Sequence, residues 1–215
     1  MEKVKPIHRL TLFDMFKYPE LYSGLAEGLT ELPLPDILKI GKKEFTIPED
    51  MAELSRKICY GQRQYLARKE DNDFGIIIRC IGGYYYPEYF NTEWDDEKVC
   101  IFSEKILPCK VIEAYPVSLH LVTLLSELVI NEQKLLHREP SKIELAAGIE
   151  KLDVFAELNV LDFLRDAMKC TVKEVLLTPY NECLVRLLNA KEIMDYQERY
   201  YKLQAEELEI KSKKR

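Results

Sequence analysis

Large apolar residues recur along much of this chain at helical spacing. In DDEKVCIFSEKIL, Val99, Phe102 and Ile106 fall every three or four positions and so share one helical face. Asp95 or Asp96 offers a carboxylate to cap that helix, and acidic residues suit its positive end. SLHLVTLLSELVINEQKLL, residues 118–136, predicts a strongly apolar helix. Pro140 then breaks the pattern, and Ser141 to Gly148 fits a short helix. EKLDVFAELNVLDFLRDAM, residues 150–168, predicts a helix with a stripe of Val154, Leu158, Leu161 and Leu164 or Arg165. Another short helix carries VKEVLLTPY, and Pro179 opens the last and longest one. The first half of that helix is apolar at Tyr180, Leu184, Leu187 and Leu188, and its second half is largely charged. Asp195–Arg199 and Glu198–Lys202 stand four apart, acid first, the orientation that supports a helix.

The N-terminal half is less regular. Residues 10–30 are rich in large apolar side chains but broken by Pro19, Gly24 and Gly28. Such a segment either packs on its own domain or docks on a neighbour. The two prolines of ELPLPDILKI enforce extended or turn backbone. GKKEFTIPED predicts a strand from Glu44 to Ile47, after a turn at Gly41 and stopped by Pro48. Met51 to Arg68 predicts a helix with Met51, Leu54, Ile58 and Tyr65 along one side, weakened or split at Gly61. KEDND, residues 69–73, fits a turn or exposed loop. Ile76 to Ile81 is a branched apolar run between Gly75 and Gly82, and predicts a strand. Gly82–Gly83 would let that strand turn or bulge into an aromatic turn. LPCKVIEAYPV predicts a connector.

These elements define a mostly α fold with a small β element (α+β), whose helical C-terminal part ends in a long helix. Three regions follow: residues 1–40 as an N-terminal arm or packing segment, 41–138 as a mixed α/β region, and 139–215 as a helical region with a charged terminal helix. No solenoid-type repeat interrupts this order.

Composition narrows the chemistry. The chain has 215 residues, 47% hydrophobic and 32% charged, with a formal net charge of −6. An acidic surface does not draw a phosphate backbone, although the KSKKR tail is locally basic. The six cysteines form no CxxC knuckle and sit mostly in apolar settings, as buried reduced cysteines do. MEKVKPIHRLTLFDMF has neither a long apolar segment nor a small-residue cleavage site, and no uninterrupted apolar window approaches 18 residues. These features predict an intracellular protein with no membrane span. Tyr84, Tyr85, Tyr86 and Phe90 sit among Glu88, Glu93, Asp95, Asp96 and Glu97. That acidic rim disfavours base stacking and favours protein contact or packing. IGGYYYP is neither a Walker loop nor a dinucleotide fingerprint. The acidic cluster is sequential, has no nearby histidine, and fits a helix cap better than a carboxylate active site. His8, His120 and His137 show no ligand spacing, so no catalytic, cofactor or metal residue is assigned.

One resemblance adds a context. GKKEFTIPEDMAELSRKICYGQ, YYYPEYF and WDDEKV…FSEKILPCKVIEAYPV resemble a group of structural proteins of tailed bacteriophages of Bacteroidetes, the crAss-like phages. TVKEVLLTPYNECLVRLLNAKEIMDYQERYYKL is similar to the terminal helices of tail-assembly-chaperone-like or virion proteins of such phages. The matching positions are Pro179–Tyr180, Leu187–Leu188, Lys191–Glu192 and Gln197–Arg199–Tyr200. The resemblance covers residues 41–203 and implies a non-enzymatic virion or assembly protein of the tail or head–tail region. Its partners would be other phage structural proteins in a homo- or hetero-oligomer, located in the virion or in the host cytoplasm during assembly. The expected contact residues are Phe13, Phe16 and Tyr18 of the arm, Tyr84, Tyr85, Tyr86 and Phe90 of the aromatic turn, and Tyr196, Arg199 and Tyr200 of the last helix. The competing readings are a nucleic-acid-associated accessory protein and a carboxylate-dependent hydrolase.

Overall fold

The structure is a computed structural model that describes residues 6–18, 20, 26–68 and 73–213. Pro19, Gly24, most of the KEDND stretch and the last two residues of the basic tail lie outside the described residues. The fold is predominantly helical with one small β element and a long C-terminal helix. It divides into two compact units. The first comprises Met1–Ile130 and Leu176–Tyr180, and the second comprises Asn131–Val175 and Asn181–Arg215.

In the first unit, α1 (Leu12–Lys17) is followed by a short helix α2 (Ala26–Leu29) and a hairpin of β1 (Ile37–Ile40) and β2 (Lys43–Thr46). The strands pair antiparallel with Leu38 opposite Phe45 and Lys39 opposite Glu44. Gly41 takes φ +63° at the turn, a conformation glycine adopts without steric cost. The alternation is that of a half-buried strand: Leu38, Ile40 and Phe45 face inward, while Lys39 and Glu44 pair outside at 2.9 Å. The expected strand is thus present one residue earlier, and its partner is the segment that follows the prolines.

The helix expected over residues 51–68 is split, though not at Gly61. Helix α3 (Met51–Lys57) is capped by Asp50, whose Oδ1 accepts the Glu53 N–H at 2.7 Å. Helix α4 (Tyr60–Leu66) restarts at Cys59, where the Gln62 side chain accepts the Cys59 N–H at 3.0 Å. The chain between them is recruited elsewhere: Tyr60 N–H donates to Thr178, and Tyr180 N–H donates to the Ile58 carbonyl.

The larger correction concerns residues 76–86. They form no strand and no turn, because helix α5 runs unbroken from Asp73 to Phe90. A short branched apolar run suits a buried helix as well as a buried strand, and here burial overrides β propensity. Gly82 and Gly83 are packing positions. A Cβ on Gly83 would lie 2.9 Å from side-chain carbons of Tyr65 and Leu66, and one on Gly82 would lie 3.0 Å from Val99 Cγ1. Pro87 also sits inside this helix and has no N–H for the Gly83 carbonyl four residues back. The buried Gln62 amide supplies that bond instead, donating from Nε2 at 3.0 Å.

Helix α6 (Asp96–Ile106) forms as the pattern predicts, with Asp95 at its N-cap and Val99, Phe102 and Ile106 fully buried. Helix α7 (Val111–Leu136) takes in most of the expected connector and carries Pro116 inside it. Burial of Val111, Ala114 and Val117 draws that first stretch into the core. By length and composition α7 is apolar enough to cross a membrane, but half of its apolar window is buried within the protein, as in a core helix. The N-terminal segment is fastened to the start of α7: Leu12 N–H donates to the Cys109 carbonyl and Val111 N–H to that of Leu10.

In the second unit, α8 (Lys142–Ala147) is enclosed by a Ser141–Glu144 capping box and by Gly148 at φ +82°. A 3-10 segment, Ile149–Phe155, precedes α9 (Ala156–Met168). The helix expected from residue 150 is therefore regular only in its later part. Helix α10 (Val172–Leu177) is capped by Thr171, and α11 (Tyr180–Lys213) closes the chain. Arg138 gathers three carboxylates: Glu144 at 2.8 Å, Glu198 at 3.4 Å and Asp195 at 3.6 Å. Asp195 and Glu198, expected to pair along α11, are thus turned toward Arg138. Lys191 Nζ donates to the Leu135 carbonyl at 2.9 Å.

Candidate interaction surfaces

The expected contact residues separate by unit. In the first unit, Tyr84, Tyr85 and Tyr86 are core side chains, with Tyr85 fully inaccessible. Tyr84 and Tyr85 meet edge to face at 4.7 Å, Tyr85 tilts against Phe45 at 5.2 Å, and Tyr86 packs on Phe102 at 6.1 Å. The Tyr85 hydroxyl donates to the Thr46 carbonyl at 3.2 Å, which joins α5 to the hairpin. Burial raises the ionisation of both Tyr84 and Tyr85 above the ordinary phenol value. These three rings are spent on the unit's own packing and are not presented to a partner. Phe90, at the end of α5, remains exposed while touching Tyr86, Tyr89 and Phe102.

The start of the arm docks on its own unit. Leu10 and Leu12 are fully buried, and buried Asp14 accepts hydrogen bonds from the Thr11 N–H at 3.0 Å and hydroxyl at 2.8 Å. Phe13 and Phe16 face solvent, and Tyr18 is half-buried beneath the Lys17 ammonium. Phe16 tilts against Phe74 at 5.0 Å and borders an open pocket of about 260 Å³. Tyr65, Ile78, Arg79 and Leu107 also line it. Arg79 donates into the Arg68 carbonyl, so its charge helps to close the end of α4.

The acidic cluster has structural work. Asp95 caps α6 and pairs with Lys98 at 2.9 Å, a bond that holds its carboxyl below the usual range. Asp96 lies 3.4 Å from Arg68. Half-buried His120 donates from Nε2 to the Pro48 carbonyl at 2.8 Å. Among the described residues, no three His, Cys, Asp or Glu side chains converge as metal ligands would. No disulfide joins any of the six cysteines, and Cys80, Cys109 and Cys183 are buried. Burial pushes the Cys109 thiol up to about 12, and its Sγ donates to the Lys39 carbonyl at 3.3 Å.

The second unit is different. Among its described residues the buried side chains are Leu164, Val175 and Cys183. Tyr196, Arg199 and Tyr200 are all exposed, and Tyr196 and Tyr200 stack one turn apart at 6.3 Å. Tyr201, Leu203, Leu208 and Ile210 continue this exposed apolar series along α11. A second run was missed by sequence reasoning. Ile143 is 81% and Val154 84% accessible, with Leu152, Phe155 and Leu158 also in solvent. The stripe through Val154 and Leu158 is a real periodicity, but only Leu164 of that stripe is fully buried. Periodicity reports that a face is apolar, and does not report whether the same chain covers it.

No protein-family model matches this chain, and no curated protein or solved structure matches it either.

Proposed function

We propose that the protein is a non-enzymatic contact component whose second unit carries the surfaces that other proteins cover. One observation carries this reading: that unit buries few side chains and leaves a long series of aliphatic and aromatic residues in water. Monomers rarely tolerate extended exposed apolar surface, and such surface marks association sites. Tyrosine suits the task because it buries area with little loss of conformational entropy and can still hydrogen-bond. The resemblance to tailed-bacteriophage proteins supplies the setting: the tail or head–tail region of a virion, or the host cytoplasm during assembly. Its partners are then other phage structural proteins.

Native mass determination with candidate tail and head–tail proteins tests this role. A stable assembly should form with the wild-type chain and weaken when Val154, Phe155 and Leu158 are together replaced by Ser. Failure to assemble with any of these proteins, or unchanged assembly by a folded triple variant, would contradict it.

A further inference from the structure

The exposed apolar series on α11 has a register. Ile193, Tyr196, Tyr200, Leu203, Glu207 and Ile210 follow one another at alternating intervals of three and four residues, the spacing of a coiled-coil seam. Apart from Glu207 the seam is apolar, and all six side chains are exposed. The opposite side of the helix is already engaged: Cys183 is buried, Lys191 holds the Leu135 carbonyl, and Asp195 and Glu198 face Arg138. The seam is therefore a helix face left uncovered by the described residues.

We propose that the occupant of this face is a second copy of the same helix, running antiparallel. This rests on the contact role proposed above and gives it one specific surface. Charge decides the orientation. In a parallel, in-register pair, Glu207 would meet Glu207 of the second copy inside the seam. In an antiparallel pair, Tyr200 sits opposite Leu203 of the second copy, Ile193 opposite Ile210, and Glu207 opposite Tyr196. Arg199 and Glu206 flank the seam on the same side, at equivalent positions. Antiparallel packing places Arg199 beside Glu206 of the second copy, and the two-fold axis repeats the pair. Gln197 meets Gln204 on the other flank.

Charge also decides the register. Sliding the pair by one heptad in one direction sets Arg199 against Arg199 and Glu192 against Glu206. Sliding it the other way sets Glu206 against Glu206. Only the central register has complementary flanks, and like charges facing across such an interface select against the rest. The seam spans about 26 Å of helix, at 1.5 Å per residue. It buries on the order of 1,000 Å² in total, near the lower limit for a specific interface and in the size class of weak association.

The test is sedimentation equilibrium of the full chain, with circular dichroism to confirm that each variant stays helical. Wild type should show a concentration-dependent dimer. R199E and E206R should each raise the dissociation constant roughly tenfold, because each creates two like-charge contacts. The double swap R199E/E206R should restore the wild-type constant, and an equimolar mixture of the two single variants should form heterodimers. A wild-type chain that stays monomeric at hundreds of micromolar overturns the proposal. So does a dimer indifferent to both reversals, or one that the double swap does not rescue. A monomer that still assembles with phage structural proteins would remove the self-pairing alone. A dimer that binds none of them would remove the broader contact role alone.

Discussion

Tyr85 and Tyr200 are the same side chain on helices of the two units, and their surroundings are opposite. Tyr85 has no accessible surface, touches two other rings and donates its hydroxyl to the hairpin. Tyr200 is half exposed, and the rings it meets are Tyr196 and Tyr201 of its own helix. The same contrast runs through the units. The first hides Val99, Phe102, Ile106 and the α5 rings Tyr84, Tyr85 and Tyr86, whereas the second buries three side chains among its described residues. A tyrosine-rich helix is therefore not a contact surface because it is tyrosine-rich. What matters is whether the same chain brings enough apolar surface to cover it. The first unit does so with glycines that let helices approach closely, and the second does not.

Replacing matched residues sharpens this contrast. Y85A should have the largest effect, destabilising the first unit by roughly 3–5 kcal/mol through a large cavity and an orphaned Thr46 carbonyl. Urea unfolding would show this as a lowered midpoint, and an unchanged midpoint would return the ring to the surface. G83V should follow at about 1–3 kcal/mol, because a branched side chain at that position overpacks against Tyr65 and Leu66. Next comes R138A, which releases three carboxylates. It should weaken the second unit by about 1 kcal/mol, with the loss shrinking as salt is added. Paired substitution of Tyr196 and Tyr200 by Ala should change stability least, within about 0.5 kcal/mol, as exposed positions do. Its effect should appear in association instead.

Alkaline pH probes the first unit without mutation. Cys109 ionises near 9.0 when unfolded and near 12 in the folded protein. Its folded value is raised, so its contribution is complete below pH 9 and declines as pH rises toward 12. Tyr84 and Tyr85, raised from about 10 by burial, act in the same direction. Unfolding midpoints of the first unit should be insensitive to these groups between pH 7 and about 9, then fall. A midpoint that holds through pH 11 would mean these groups are not buried.

Much of the fold was legible in the sequence where local signals agree. Asp95 with Val99, Phe102 and Ile106, Ser141 with Gly148, and Pro179 before the last helix all formed as their patterns imply. The residues around Gly82 were misleading because branched apolar residues beside paired glycines describe a strand end and a tightly packed buried helix equally well. Only the tertiary partners Tyr65, Leu66 and Val99 distinguish the two. The break at Cys59 was hidden for a related reason, since its cause lies at residues 178–180. Of the residues expected to make contacts, Tyr196, Arg199 and Tyr200 are exposed, because charged neighbours on a long helix signal a solvated element. Tyr84, Tyr85 and Tyr86 are not, since their acidic neighbours on α6 are caps and surface charges outside a buried helix.

Hydroxyl-radical footprinting of the full chain, at low and at high protein concentration, tests the division of labour between the units most directly. Tyr85 and Tyr86 should resist labelling at both concentrations. Tyr196, Tyr200 and Leu203 should label strongly in dilute protein and become protected as concentration rises. Labelling of Tyr85 as strong as that of Tyr200, or a terminal helix whose labelling never changes, would contradict it.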